Sequence, residues 1–263
     1  MKRFIFTLLC VLPGLAFAEE SEEEKSFSAD AEFGMLMTSG NTESNATKVK
    51  IDAKQDFEHW KNNYILEAFY KEDEVEVVVD DETIDETQTT AEKYFASVQS
   101  DYKLDNEHKG IFVYGSYEDD KFSGFEYQAT LAIGYSDRLF QTEKSWLDYS
   151  IGPGYAIAKT EAVLDEDGIV VEPSEETKTF AARLSGAYQY NISDNAKFTQ
   201  KISSDVAGDS DKNTKTKSET GLSVSINHTL ALKLSYVVQH NSKPPQDKEK
   251  KDITTAVTIV FTY

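Results

Sequence analysis

The sequence predicts an all-β fold: a transmembrane, antiparallel up-and-down β-barrel of about twelve strands. Three observations carry that prediction. Beyond residue 25, nearly every segment alternates apolar and polar residues with the two-residue period of a strand. The alternating runs extend for about 10 to 14 residues, where a tilted membrane strand needs about 9 to 11 and a soluble strand averages about 5 to 6. Finally, the chain begins with an export-type segment and ends on alternating apolar residues closed by an aromatic.

At the amino terminus, Met1-Lys2-Arg3 is basic, Phe4 to Leu15 is apolar and broken by Pro13 and Gly14, and Ala16-Phe17-Ala18 has the small-x-small form of a cleavage site. The apolar run is shorter than the roughly 20 residues of a membrane-spanning helix. The expected organisation is therefore a signal peptide at 1–18, an acidic segment at 19–25 and a barrel at 26–263. Cys10, the one cysteine of the 263 residues, falls within the signal segment.

The strands follow in order. From Ser26 to Thr38, Phe27, Ala29, Ala31, Phe33, Met35 and Met37 share one phase. Asn45, Thr47, Val49, Ile51, Ala53 and Phe57 then alternate with Lys48, Lys50, Asp52, Lys54 and Asp56. Trp60, Tyr64, Leu66, Ala68 and Tyr70 mark a third strand. Weaker ones lie around Lys93 to Leu104 and Ile111 to Asp120, where Phe95, Phe112 and Tyr114 blur the phase. Phe125 to Tyr135 alternates strongly, followed by strands carrying Leu147 to Ile157, Phe180 to Tyr190, Lys197 to Val206, Leu222 to Ile226 and Leu230 to Val238. The last is Ile253, Thr255, Val257, Ile259, Phe261 and Tyr263.

Connection lengths sort as a membrane barrel requires, with short turns at one end and longer loops at the other. The third connection, about Glu72 to Thr89, and the seventh, about Thr160 to Thr177, are expected to be the two long loops. Pro244-Pro245 falls in the eleventh. Alternation alone does not separate this from a soluble barrel with its apolar phase inward. Aromatics near the strand ends do. Trp60 and Tyr70, or Phe125 and Tyr135, are spaced to bracket the roughly 25 Å apolar band of a membrane barrel. The terminal Val257-x-Ile259-x-Phe261-x-Tyr263 resembles the signal that outer-membrane barrels present to the barrel assembly machinery.

Three motifs add a family resemblance: Thr38-Ser39-Gly40-Asn41-Thr42-Glu43-Ser44, Tyr117-Glu118-Asp119-Asp120-Lys121-Phe122-Ser123-Gly124, and Ile151-Gly152-Pro153-Gly154-Tyr155. In this order, over almost all of the chain beyond the signal, they resemble the salt-induced outer membrane protein family, domain of unknown function 481. The resemblance implies residence in the bacterial outer membrane and an osmotic role, and it implies no established activity.

If the polar phase lines a lumen, the inward candidates are Lys48, Lys50, Asp52, Lys54, Glu126, Arg183, Lys201 and Lys233. Glu32, Glu67, Lys93, Lys215, Lys217 and Glu219 fall on the same phase. Twelve strands lie between the filled interior of about 8 and the open channel of 16 to 18. Two readings follow: a narrow channel for ions or small polar solutes, or a lumen closed by cross-barrel ion pairs in a structural envelope protein.

With 27 Lys and Arg against 47 Asp and Glu, the net charge of −20 argues against nucleic acid as a partner. The acid excess sits in the loops, Glu72 to Glu86 above all. There it forms a solvated fringe or a site for divalent cations bridging to lipopolysaccharide. Asp209-Ser210-Asp211-Lys212-Asn213 resembles the start of a calcium loop, but it lacks the Gly and Glu such a loop needs and reads as a polar hairpin. His240 and Ser242 share a strand face as in a phospholipase-like site, but no orienting group is placed beside them. No enzyme activity, cofactor or metal is therefore expected, and the partners are outer-membrane lipid and lipopolysaccharide.

Overall fold

The computed structural model describes residues 26–38, 44–79, 82–104, 108–121, 123–164, 170–246 and 248–263. The expected signal segment at 1–18 and the acidic segment at 19–25 lie outside them. In chain order the strands are β1 (Ser26–Thr38), β2 (Ser44–Asp56), β3 (Trp60–Val79), β4 (Glu82–Lys103), β5 (Gly110–Asp120), β6 (Phe125–Gln141) and β7 (Ser145–Thr160). They continue as β8 (Val163–Leu164), β9 (Val170–Glu172), β10 (Glu176–Ser193), β11 (Ala196–Ala207), β12 (Lys215–Ser225), β13 (Leu230–Asn241) and β14 (Lys251–Thr262). All but β8 and β9 form one closed barrel in which each strand pairs with its sequence neighbours and β1 meets β14. β8 and β9 make a separate hairpin within the β7–β10 connection.

The twelve-strand meander expected from the sequence is the observed barrel, and β1 matches its expected span. The third connection does not form the expected long loop. Its ladder continues past the membrane band, with Glu72 facing Thr89 and Val79 facing Glu82, so β3 and β4 project as a two-stranded hairpin. At the start of this segment Glu74-Val75-Glu76-Val77 alternates acidic and apolar residues, which is itself a strand pattern.

Exposure decides between a soluble and a membrane barrel. The outward phase is apolar and open, as in Leu66, Val113, Leu131, Ile133, Ile151, Ile202, Leu234 and Val257. The inward phase is polar and buried, as in Glu32, Lys50, Asp52, Glu118, Arg183, Glu219 and Lys233. A water-soluble barrel has the reverse arrangement. Paired aromatics ring the outer wall at both ends. Phe27–Tyr263, Trp60–Tyr102, Tyr135–Tyr149 and Phe140–Tyr188 meet near the short turns, and Tyr117–Tyr127 and Tyr155–Phe180 near the long loops.

The Ile151–Tyr155 motif has a packing role. A Cβ on Gly152 would lie 2.1 Å from the Ile133 carbonyl oxygen, and one on Gly134 would lie 2.2 Å from that of Ile151. These two glycines let β6 and β7 approach where any other residue would clash with backbone. The inner wall is thereby hollowed beside Phe112, which is fully buried opposite Gly134, and Arg183, which lies opposite Gly152. The Arg183 guanidinium stacks 3.3 Å above the Tyr114 ring and donates to Asp205 at 2.7 Å.

Candidate functional site

The candidate site is the lumen. At mid-depth, charged side chains meet across it from strands that are not neighbours. Glu219 of β12 accepts hydrogen bonds at 2.8 Å from Lys50 of β2 and Lys233 of β13, and Lys233 also reaches Glu32 of β1 at 2.8 Å. All four of these residues are under a tenth exposed. Around them, Lys201 contacts Asp52 at 2.9 Å, Lys217 contacts Glu67 at 3.3 Å, and Lys215 contacts Glu118 at 2.6 Å. Lys93 joins Glu118 at 3.2 Å and donates to Gln239 at 2.7 Å. Charges taken out of water are tolerated when paired and hydrogen-bonded. The result is a septum across the barrel.

A cavity lies on each side. At the short-turn end a 360 Å³ cavity is bounded by Lys54, Lys61, Asp101, Arg138 and Asp148. At the long-loop end a 570 Å³ cavity is bounded by Lys48, Lys71, Lys93, Asp120 and Asp252. Glu67 and Lys217 line both, so a single layer of side chains stands between them. Above the larger cavity, the β13–β14 connection crosses to the β5–β6 turn. There Gly124, at φ +77°, lies so close that a Cβ would be 3.0 Å from Pro245 Cγ and 2.9 Å from Lys248 Cγ. Left-handed backbone and close approach both require glycine at this position.

Of the residues singled out from sequence, Lys48, Lys50, Asp52, Arg183 and Lys233 are buried on the inner wall. Lys201 lines the short-turn cavity with Lys54, which is exposed within it. Glu126 is not on the lumenal phase. The register shifts between Phe125 and Tyr127, which buries Phe125 and leaves Glu126 half exposed in an ion pair with Lys159 at 2.5 Å. Val257, Ile259, Phe261 and Tyr263 point outward and are exposed. Sequence reasoning misses Glu118, the partner of two lysines, because in β5 it shares its phase with Phe112 and Tyr114. The signal that would have found it is Asp120 at the next position of that phase, giving two carboxylates on one inward face.

Ser242 Oγ accepts a hydrogen bond from the Thr214 backbone N–H at 2.8 Å, and so serves the loop beside β12. Asp209 Oδ1 accepts from the Asp211 N–H at 3.0 Å, forming a polar turn between β11 and β12. Among the described residues, no three carboxylates or imidazoles converge on a point that would hold a metal ion.

The family model described as "Protein of unknown function, DUF481" matches residues 31–263. The chain belongs to this family. Over 173 residues, 65% of its length, it is 30% identical to the uncharacterized protein YdiY of Escherichia coli K12, and it covers 62% of that relative. It thus spans less than two thirds of the relative's length. Among solved structures, it is similar to the translocator domain of the autotransporter NalP from Neisseria meningitidis, with a TM-score of 0.47 at 12% identity, covering 90% of this chain and 86% of that one. The outer membrane channel DcaP of Acinetobacter baumannii gives 0.39 at 6% identity, covering 91% and 96%.

Proposed function

We propose that this family member is an outer-membrane barrel closed along its axis, with a lumen divided by ion pairs into two vestibules. The supporting observation is Glu219, held at 2.8 Å by both Lys50 and Lys233 in the middle of the barrel. Buried contacts of this kind are screened little by salt, so the barrier persists across ordinary ionic strengths. In this reading the protein is a structural or binding component of the envelope, with its exposed acidic hairpin facing outward beside lipopolysaccharide. The carboxy-terminal Val257, Ile259, Phe261 and Tyr263 would be presented to the barrel assembly machinery.

The test is single-channel recording of the refolded protein in a planar bilayer. A folded, silent barrel is expected; discrete conductance steps from the unaltered protein would overturn the proposal. A second reading, a narrow ion or small-solute channel linked to osmotic response, rests on the single layer formed by Glu67 and Lys217. Their 3.3 Å contact is longer than those made by Glu219. It predicts conductance once that pair is removed, in Glu67→Gln/Lys217→Met.

A further inference from the structure

The barrel is closed unevenly. Among the described residues, β1 and β14 pair only from Asp30 to Phe33 against Thr262 to Ile259, with Ala29 and Tyr263 exchanging backbone hydrogen bonds just below. β1 nevertheless continues to Thr38 in full register with β2, and β14 runs to Lys251 against β13. Continued antiparallel register would set Met35 against Val257 and Thr38 against Thr254, yet no ladder forms there. At Gly34, just past the last pair, β14 is still close: a Cβ would lie 2.8 Å from Thr258 Cγ2 and 2.9 Å from the Val257 carbonyl oxygen. Above it, the 570 Å³ cavity is bounded both by inward residues and by Met35, Ile253 and Val257, which are more than half exposed on the outer wall. The cavity therefore runs along the unpaired edge of β14, where the successive residues Asp252 to Val257 all line it. Unpaired strand edges at membrane depth are tolerated only where they border a polar cavity.

A second observation points to what enters. Lys48 is 4% exposed and lines this cavity. The other lysines lining it are engaged: Lys71 by Asp73, Lys93 by Glu118 and Asp120, and Lys217 by Glu67. Lys48 makes no hydrogen bond or ion pair with any described residue. The nearby carboxylates that balance it, Glu67, Glu219 and Glu32, are held by Lys217, Lys50 and Lys233. A buried ammonium group without a contact partner favours an anion. The cavity volume falls in the range of small-molecule sites, about 300 to 1,000 Å³. The septum closes it below, and the Pro245–Gly124 contact crosses above it.

We propose that the β1–β14 seam is a lateral portal to a binding site for a single-chain anionic amphiphile. A long-chain carboxylate would place its head on Lys48, with its chain leaving past Met35 and Val257 into the surrounding leaflet. The proposal goes beyond the closed-axis reading and does not depend on it. Entry is through the wall, so a silent or a conducting lumen leaves it standing.

The test is photolabelling of the refolded protein in phosphatidylcholine vesicles with a long-chain carboxylate bearing a diazirine at its chain end. The expected adducts fall on Met35 and Val257 and are displaced by unlabelled palmitate. They drop roughly tenfold in Lys48→Met, as loss of one charge-assisted contact implies. They also drop in Ala256→Trp, which places a large side chain in the cavity from β14. Leu131 and Ile151 on the far wall report ordinary lipid contact and should be unchanged in both variants, while heat-modifiable gel mobility verifies folding. Seam labelling no stronger than far-wall labelling, or labelling indifferent to Lys48→Met, overturns the proposal. So do adducts confined to inward Phe69 and Lys71, which would mean axial entry. Competition by inorganic phosphate equal to that by palmitate overturns it too, since it would reduce Lys48 to a simple anion site.

Discussion

Removing the Glu219 charge should be the most damaging conservative change in the lumen. Glu219→Gln keeps the shape of the side chain but takes the contact partner from Lys50 and one of two from Lys233, which retains Glu32. At 2.8 Å each contact has a gross Coulomb attraction of about 6 kcal/mol at an effective dielectric constant of about 20, and about 1.5 kcal/mol in bulk water. Desolvation offsets much of the larger figure, so the measurable quantity is the penalty for leaving a buried lysine unpaired. That penalty is about 3 to 5 kcal/mol in a water-poor site and under about 1 kcal/mol in a hydrated one. Guanidinium unfolding in detergent micelles, followed by the fluorescence of Trp60 and Trp146, measures it. Glu219→Gln should lose about 3 to 5 kcal/mol, and Lys50→Met/Glu219→Gln should recover much of that by removing the unpaired ammonium. A loss below about 1 kcal/mol, or a double variant no more stable than the single one, would refute the water-poor septum and with it the closed-lumen reading.

Further outcomes follow from the same structure. Gly152→Ala should fail to give the compact, heat-modifiable band on a gel, because its Cβ would meet backbone at 2.1 Å. Gly115→Ala, whose nearest neighbour is the Leu131 side chain at 3.5 Å, should fold normally. Tyr263 is 86% exposed, so Tyr263→Ser should change the stability of the refolded barrel little while lowering its level in the outer membrane of cells. Equal levels by quantitative blotting would remove its role as an assembly signal. Calcium titration by calorimetry should show only weak heats that salt suppresses. A saturable site lost on shortening the β3–β4 hairpin would instead make the acidic residues a binding element.

The sequence by itself determined the strands, their sidedness and the medium around them. A strand's phase is a local property with a period of two, so Leu131 and Ile133 outward and Thr130 and Ala132 inward are legible from the order of residues alone. Strand length and terminal aromatics add the membrane, because both must match the thickness of the apolar band. Local pattern failed where the ladder itself is irregular. The register shift between Phe125 and Tyr127 turned Glu126 out of the lumen, and continued pairing made a hairpin of the expected loop after Tyr70.

Only the tertiary structure decided which inward charges meet. Lys50 and Glu219 are 169 residues apart, and the strands between them share no sequence signal that sets their relative height. That height depends on the cumulative stagger of all twelve strands when the barrel closes, which no single strand encodes. The same closure leaves β1 and β14 paired over only part of their length, isolates Lys48 from the carboxylates held by its neighbours, and brings Pro245 onto Gly124 across the long-loop end.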